Sequence, residues 1–153
     1  MINSMNNALA GLTGWKTAFT RTHKDTRRIG IQIAAEAVRV ARAHGHEPGM
    51  VMSLTPQAIV DAAEGRNVQQ ALAQLDTCAG NAGELSRPSF GQDVLKGRRT
   101  EIEFINGLVA RKGRERGVPT PFCDRIVQIV DKLGVGFKPS PDHIAPLVEM
   151  LPW

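Results

Sequence analysis

Tyrosine is absent from this chain of 153 residues, and aromatic residues make up only 5% of it. A surface that stacks nucleic-acid bases interleaves aromatic and basic side chains, so this scarcity argues against nucleic-acid recognition. Cysteine is nearly absent too. Cys78 and Cys123 lie far apart and match no metal-ligand spacing, which predicts free thiols, a reducing cytoplasmic setting and no bound metal. No run reaches the ~18–20 apolar residues of a membrane span. The segment from Met1 to Trp15 also lacks the basic start of a signal peptide, so neither secretion nor membrane insertion is expected. A dinucleotide site of the doubly wound type is missing as well. It needs a strand, a Gly-x-Gly-x-x-Gly turn and a helix, so that backbone amides at the helix start meet the pyrophosphate. The nearest imitation, Gly134-x-Gly136, follows an expected helix and precedes Lys138-Pro139, which reads as a helix stop. No cofactor-binding residue is therefore assigned within the chain.

What is present suits one domain. Hydrophobic residues make up 42% of the chain, and its length is enough to bury a real core. The net charge of +4 is modest. Its densest stretch runs from Lys96 to Arg116, where Arg98, Arg99, Arg111, Lys112 and Arg114 outnumber Glu101, Glu103 and Glu115. A solvated helix surface explains this better than a nucleic-acid footprint.

The expected fold class is all-α, a compact multi-helix domain. Three dipeptides, Thr55-Pro56, Thr120-Pro121 and Ser140-Pro141, each set a hydroxyl at the cap and a proline at the first helical position. Between Asp25 and Ala43 the residues Ile29, Ile33, Ala37 and Val40 share one side of a helix, and Ile31, Ala34 and Val38 widen the stripe. That helix should be central and end at His44-Gly45. Further helices are expected at Pro56–Ala63, Val68–Ala79, Ser89–Lys96, Thr100–Arg116, Pro121–Leu133 and Pro141–Met150. No run alternates apolar and polar residues long enough for a sheet strand.

Four polar residues stand out as site candidates. In a helix from Thr100, the residues Ile102, Phe104, Ile105, Leu108 and Val109 form an apolar arc with Glu101 near its middle and Glu103 facing away. A carboxylate there is costly unless paired or hydrogen-bonded, which marks Glu101 as a catalytic candidate, although a first-turn glutamate can also simply favour the helix dipole. Asn3 and Asn7 lie one turn apart beside Ala10 and Gly11, with Ile2, Met5, Leu9 and Leu12 opposite. Two amides above small residues can line a cleft and bind carboxylate or hydroxyl oxygens; the alternative is plain surface asparagines. Ser89 follows Pro88 where a helix begins, so it could help bind an anion or simply cap that helix.

The segments Ser89-Phe90-Gly91-Gln92-Asp93, Lys96 to Gly107 with Thr100-Glu101-Ile102-Glu103-Phe104-Ile105-Asn106-Gly107 at its end, and Gly117-Val118-Pro119-Thr120-Pro121 closely resemble the C-terminal domain of ketopantoate reductases. The opening Asn3-x-x-x-Asn7-x-Leu9, followed by Leu12-Thr13, resembles that domain's first helix. The resemblance implies the helical fold of ketopantoate and 6-phosphogluconate dehydrogenase-type C-terminal domains. It also implies a two-domain oxidoreductase in which an N-terminal Rossmann domain, absent here, binds NADPH and 2-dehydropantoate is reduced to pantoate. On the same grounds Glu101 would orient the catalytic lysine, Asn3 and Asn7 would hold substrate oxygens, and Ser89 would bind the substrate carboxylate. The lysine itself would lie four residues before Asn3, ahead of Met1. This sequence departs from the family pattern in two places. Gly14, Trp15, Lys16 and Thr17 stand where a further substrate-binding asparagine is usual, and Phe90 stands where methionine is common.

The leading expectation is thus the substrate-side half of an NADP-dependent 2-keto-acid reductase, with all 153 residues in one domain, inactive by itself. The four candidates should then converge on one open cleft. An apolar surface that normally meets another domain would favour a homodimer, with no nucleic-acid or membrane partner. The alternative is a stand-alone helical module for self-association or protein binding without catalytic activity.

Overall fold

Short polar caps and glycines decide where this chain enters and leaves its helices. The structure, a computed structural model, describes residues 1–79 and 87–153. In chain order the helices are α1 (Ile2–Thr13), α2 (Thr17–Thr22), α3 (Lys24–Ala43), α4 (Pro56–Ala63), α5 (Val68–Ala79), α6 (Ser89–Leu95), α7 (Ile102–Arg116) and α8 (Pro121–Leu133). A 3-10 turn (Pro141–Ile144) and the short α9 (Ala145–Val148) follow. Among the described residues the only extended pairing is an isolated bridge between Val51 and Leu54. The all-α expectation therefore holds, and the fold has helices packed in layers around two neighbouring cores.

The three hydroxyl–proline starts behave differently from one another. Thr55 accepts the Ala58 N–H at 3.1 Å and caps α4 as expected. Ser140 accepts from Asp142 N at 3.2 Å, but it opens a 3-10 turn. Pro146 within Ala145–Val148 contributes no amide hydrogen, so the expected single helix Pro141–Met150 is split in two. Thr120 does not cap α8. Its hydroxyl donates to Asp124 Oδ2 at 2.9 Å, and the free amides of α8 go instead to Glu36 of α3. Gly134 ends α8 at φ 74, in line with a stop signal. The helix Thr17–Thr22 was not expected, because six residues give too short a period to read.

Helices α1 and α3 form the centre and divide the core between them. On one side Ala8, Leu9, Leu12, Ile29 and Ile33 pack with Phe90, Ile102, Phe122, Ile126 and Leu147. On the other, Met5, Ile31, Ala34, Ala35 and Val38 pack with Leu54, Ile59, Leu72 and Leu75. Consecutive isoleucines of α3 therefore serve opposite cores, and residues Ile29 and Ile31 through Ala35 except Gln32 are essentially inaccessible to water. Each of these isoleucines contributes roughly 1.5–3 kcal/mol by leaving water. Residues Ser4 through Thr13 of α1 are all buried, while Ile2, expected on its apolar side, is 41% exposed. The first helix is thus an internal rod whose beginning alone reaches the surface.

Candidate functional site

Helix α7 is where sequence and structure differ most. The apolar arc read from the sequence is divided: Phe104 is 78% and Leu108 45% exposed, whereas Ile102 is buried and Val109 packs against the core. The buried side carries Ile102, Asn106, Gly107, Ala110 and Gly113. Small residues win this side because neighbouring backbone comes very close. A Cβ on Gly113 would stand 2.7 Å from the Val118 carbonyl oxygen and 2.8 Å from a Thr120 methyl. Asn106, 1% exposed, donates from Nδ2 to the Ser4 carbonyl oxygen at 3.1 Å and so pins α7 to α1.

Glu101 consequently is not a misfit within an apolar arc. It is the cap residue just before α7, half-buried, and its side chain makes no capping bond. What holds it is Ser89. The Ser89 hydroxyl donates to Glu101 Oε1 at 2.9 Å across a separation of 12 residues, joining the start of α6 to the start of α7. Pro88 occupies the cap of α6, and Ser89, exposed, is its first helical residue, so the N-capping role considered for Ser89 is not the one observed. Two of the four candidates are thus brought into direct contact.

Asn3 and Asn7 remain on α1. Asn3 is exposed, whereas Asn7 is only 9% exposed. Among the described residues no hydrogen bond engages either side-chain amide or ties it to Ser89 or Glu101. The link is made by packing. Gly11, one turn beyond Asn7, sits so close to the Phe90 ring that any Cβ there would overlap it, and Gly91 lies against the Gly11 backbone. Phe90 is the neighbour of Ser89 and is fully buried. The amide-bearing helix therefore touches the segment that carries the Ser89–Glu101 pair. Gln92 Nε2 donates to the Arg87 carbonyl oxygen at 3.1 Å, and Arg87 Nη1 donates to the Gly14 carbonyl oxygen at 2.6 Å. These bonds fasten the stretch before Ser89 to the end of α1.

Sequence reasoning did not single out Asn106 or Arg87. The signal for Asn106 was available: an amide in register with Gly107, Ala110 and Gly113 marks the close-packed side of a helix. Arg87 left no such signal, since its acceptor is a backbone carbonyl at the far end of another helix. A stack of rings beyond Gly14 was also overlooked. Trp15 lies 4.8 Å from Phe19 and 4.5 Å from His23 between ring centres, and Phe19 is 51% exposed. The basic run after Lys96 is largely a solvated surface, where Arg111 pairs with Glu103, Lys112 with Glu115, and Arg114 with Asp124. Cys78 and Cys123 are both free thiols. No group of three metal-ligating side chains and no helix long and apolar enough to cross a membrane occurs among the described residues.

Comparison with known proteins agrees with this architecture. The family model described as "Ketopantoate reductase PanE/ApbA C terminal" matches residues 1–134. A 2-dehydropantoate 2-reductase of Lactococcus lactis is 51% identical over 47 residues, which are 30% of this chain and 15% of that protein. One from Archaeoglobus fulgidus is 37% identical over 79 residues, 52% of this chain and 23% of its own length. Among solved structures, D-mandelate dehydrogenase with NADH and anilino(oxo)acetate superposes with a TM-score of 0.61 at 26% identity, over 83% of this chain and 36% of that one. A dimeric ketopantoate reductase from Staphylococcus aureus gives a TM-score of 0.61 at 20% identity, over 86% and 39%, and supports the fold. The chain thus spans less than half of the length of these proteins.

Proposed function

The chain belongs to the family of ketopantoate reductase C-terminal domains, and on that premise we propose that it forms the substrate-binding half of an NADPH-dependent 2-keto-acid reductase that converts 2-dehydropantoate to pantoate. One observation carries this reading: the Ser89 hydroxyl is held on the Glu101 carboxylate at 2.9 Å, beside the helix that bears Asn3 and Asn7. A carboxylate and a hydroxyl at the adjoining starts of two helices can exchange partners. When the carboxylate of a keto acid takes the Ser89 hydrogen, Glu101 is freed to hold a cationic proton donor, the lysine that the family resemblance implies. Asn3 and Asn7 offer amide hydrogens to the remaining substrate oxygens.

The dinucleotide does not fit these residues alone. Among the described residues no strand runs through a glycine-rich turn into a helix, so no backbone cradle for a pyrophosphate is present. We assign that role to a separate nucleotide-binding domain, which makes this chain by itself inactive and leaves the proton and substrate contacts as its contribution. Cytoplasmic placement is part of the same reading. So is homodimerisation, supported by the exposed apolar side chains Leu95, Phe104 and Leu108.

A second substrate reading has its own observation. The ring stack of Trp15, Phe19 and His23 adjoins Gly14, whose carbonyl Arg87 fastens to the Ser89 segment. That setting suits an aromatic 2-keto acid, and the similar D-mandelate dehydrogenase structure contains anilino(oxo)acetate. The test is to join the chain to a nucleotide-binding domain carrying the lysine, and to measure NADPH oxidation with 2-dehydropantoate and with phenylglyoxylate. Glu101→Gln is expected to lower kcat about a hundredfold, and Ser89→Ala to raise KM about tenfold. Activity with neither acid, or both variants as active as the parent, would overturn the reductase reading. A preference for phenylglyoxylate would select the aromatic substrate.

A further inference from the structure

Between the connection from α6 to α7 and the segment after α8 lies a cavity of about 170 Å³. Two glycines let these loops come close. Gly97 at φ 63 and Gly136 at φ 76 both take the left-handed conformation, and a Cβ on Gly136 would stand 3.7 Å from the Gly97 Cα. The apolar wall of the cavity is made of the buried Val94, Ile102 and Val130 with the half-buried Phe137. Such a space is smaller than the roughly 300–1,000 Å³ that holds a drug-sized molecule, so its occupant is small.

Charge narrows the choice further. Arg98 and Arg99 from the loop and Asp131 from α8 all line this cavity, yet none of the three forms an ion pair with another described residue. The remaining charged residue of the lining, Glu103, is held by Arg111 at 3.0 Å. The cavity thus carries free cations on one element and a free anion on another, beside an apolar wall. A ligand of a single charge would satisfy one of these and meet the other unfavourably, whereas a zwitterion complements both, its carboxylate suiting the forked guanidinium donors. We propose that this cavity binds a free α-amino acid with an apolar side chain, the carboxylate toward Arg98 and Arg99, the ammonium toward Asp131 and the side chain against Val94, Ile102, Val130 and Phe137. The site lies on the connection between Ser89 and Glu101, so an occupant braces the two helices whose starts carry that pair. Its binding does not depend on the reductase reading.

The experiment is a titration of the isotope-labelled chain, followed through its amide resonances, with L-leucine, with 4-methylpentanoate, which lacks the ammonium, and with 3-methylbutylamine, which lacks the carboxylate. L-leucine is expected to bind about tenfold more tightly than either analogue, with the largest shifts at Gly97, Gly134 and Gly136. Replacing both arginines, Arg98→Met with Arg99→Met, should weaken it about tenfold, and Asp131→Asn should remove its advantage over 4-methylpentanoate. All three side chains are exposed, so these variants keep the fold. Equal binding of L-leucine and 4-methylpentanoate would overturn the proposal and leave a plain carboxylate site. Shifts confined to other residues, unchanged affinity in the variants, or no shift with any of the three ligands would overturn it outright.

Discussion

Glu36 closes the start of α8 on behalf of Cys123: its Oε2 accepts the Cys123 amide at 2.8 Å, and its Oε1 accepts that of Phe122 at 2.7 Å. The cap is supplied by α3 from 87 residues away instead of by Thr120 next door. Glu36 is 3% exposed, and burial raises its pKa to about 7, against the two amide bonds, which pull it down. A carboxyl whose folded pKa lies above its unfolded value binds a proton more readily in the folded state. Its stabilising contribution is therefore complete below about pH 4.5 and is lost as pH rises to about 7. Chemical unfolding should show stability falling across that window by a few kcal/mol, about 3 at most. Glu36→Gln should flatten this slope, and an unchanged slope in that variant would assign the dependence elsewhere.

Gly11 and Phe90 set the distance between α1 and the Ser89 segment. Any side chain at Gly11 meets the Phe90 ring, which is fully buried and cannot withdraw. Gly11→Ala should destabilise the fold by about 1–3 kcal/mol. Combining it with Phe90→Leu should recover part of that loss. Denaturant titration of both variants measures it, and additive losses would show that the two residues are not in conflict.

Asn106 should behave as a fastener between helices with no part in chemistry. Asn106→Ala removes the only side-chain bond joining α7 to α1 among the described residues and leaves the Ser4 carbonyl without that partner. The expected loss is about 1–3 kcal/mol. Asn106→Asp should be worse, since a carboxylate cannot donate to a carbonyl when ionised. A lower Tm confirms the bond, and an unchanged Tm for both variants removes it.

The outward side of α7 should govern association. Phe104→Ser with Leu108→Ser alters two exposed residues outside both cores and should leave the far-ultraviolet signal unchanged. Sedimentation at several concentrations is expected to show a concentration-dependent dimer for the parent chain and a monomer for the variant. A parent that stays monomeric throughout would end the dimer proposal.

Local patterns were legible wherever one helix turn holds the whole signal. Thr55-Pro56 named the start of α4, and the isoleucines from Ile29 onward named α3 as central. The spacing of Ser89 and Glu101 was readable as a family resemblance, but their mutual hydrogen bond was not, because it depends on how α6 and α7 meet. Glu101 was singled out by a helical wheel that the structure follows only in part, since Glu101 precedes α7 and the arc's Phe104 and Leu108 face solvent while Ile102 is buried.

By itself, the sequence determined most of the helices, their approximate ends and the family, since capping, periodicity and motif spacing are properties of neighbouring residues. Tertiary structure alone decided which side of α7 is buried and that Glu36 rather than Thr120 caps α8. The reason is physical. Hydrophobicity ranks side chains one at a time, but the buried side of a helix is settled by how closely another backbone can approach, and there Gly107, Ala110 and Gly113 outcompete Phe104 and Leu108.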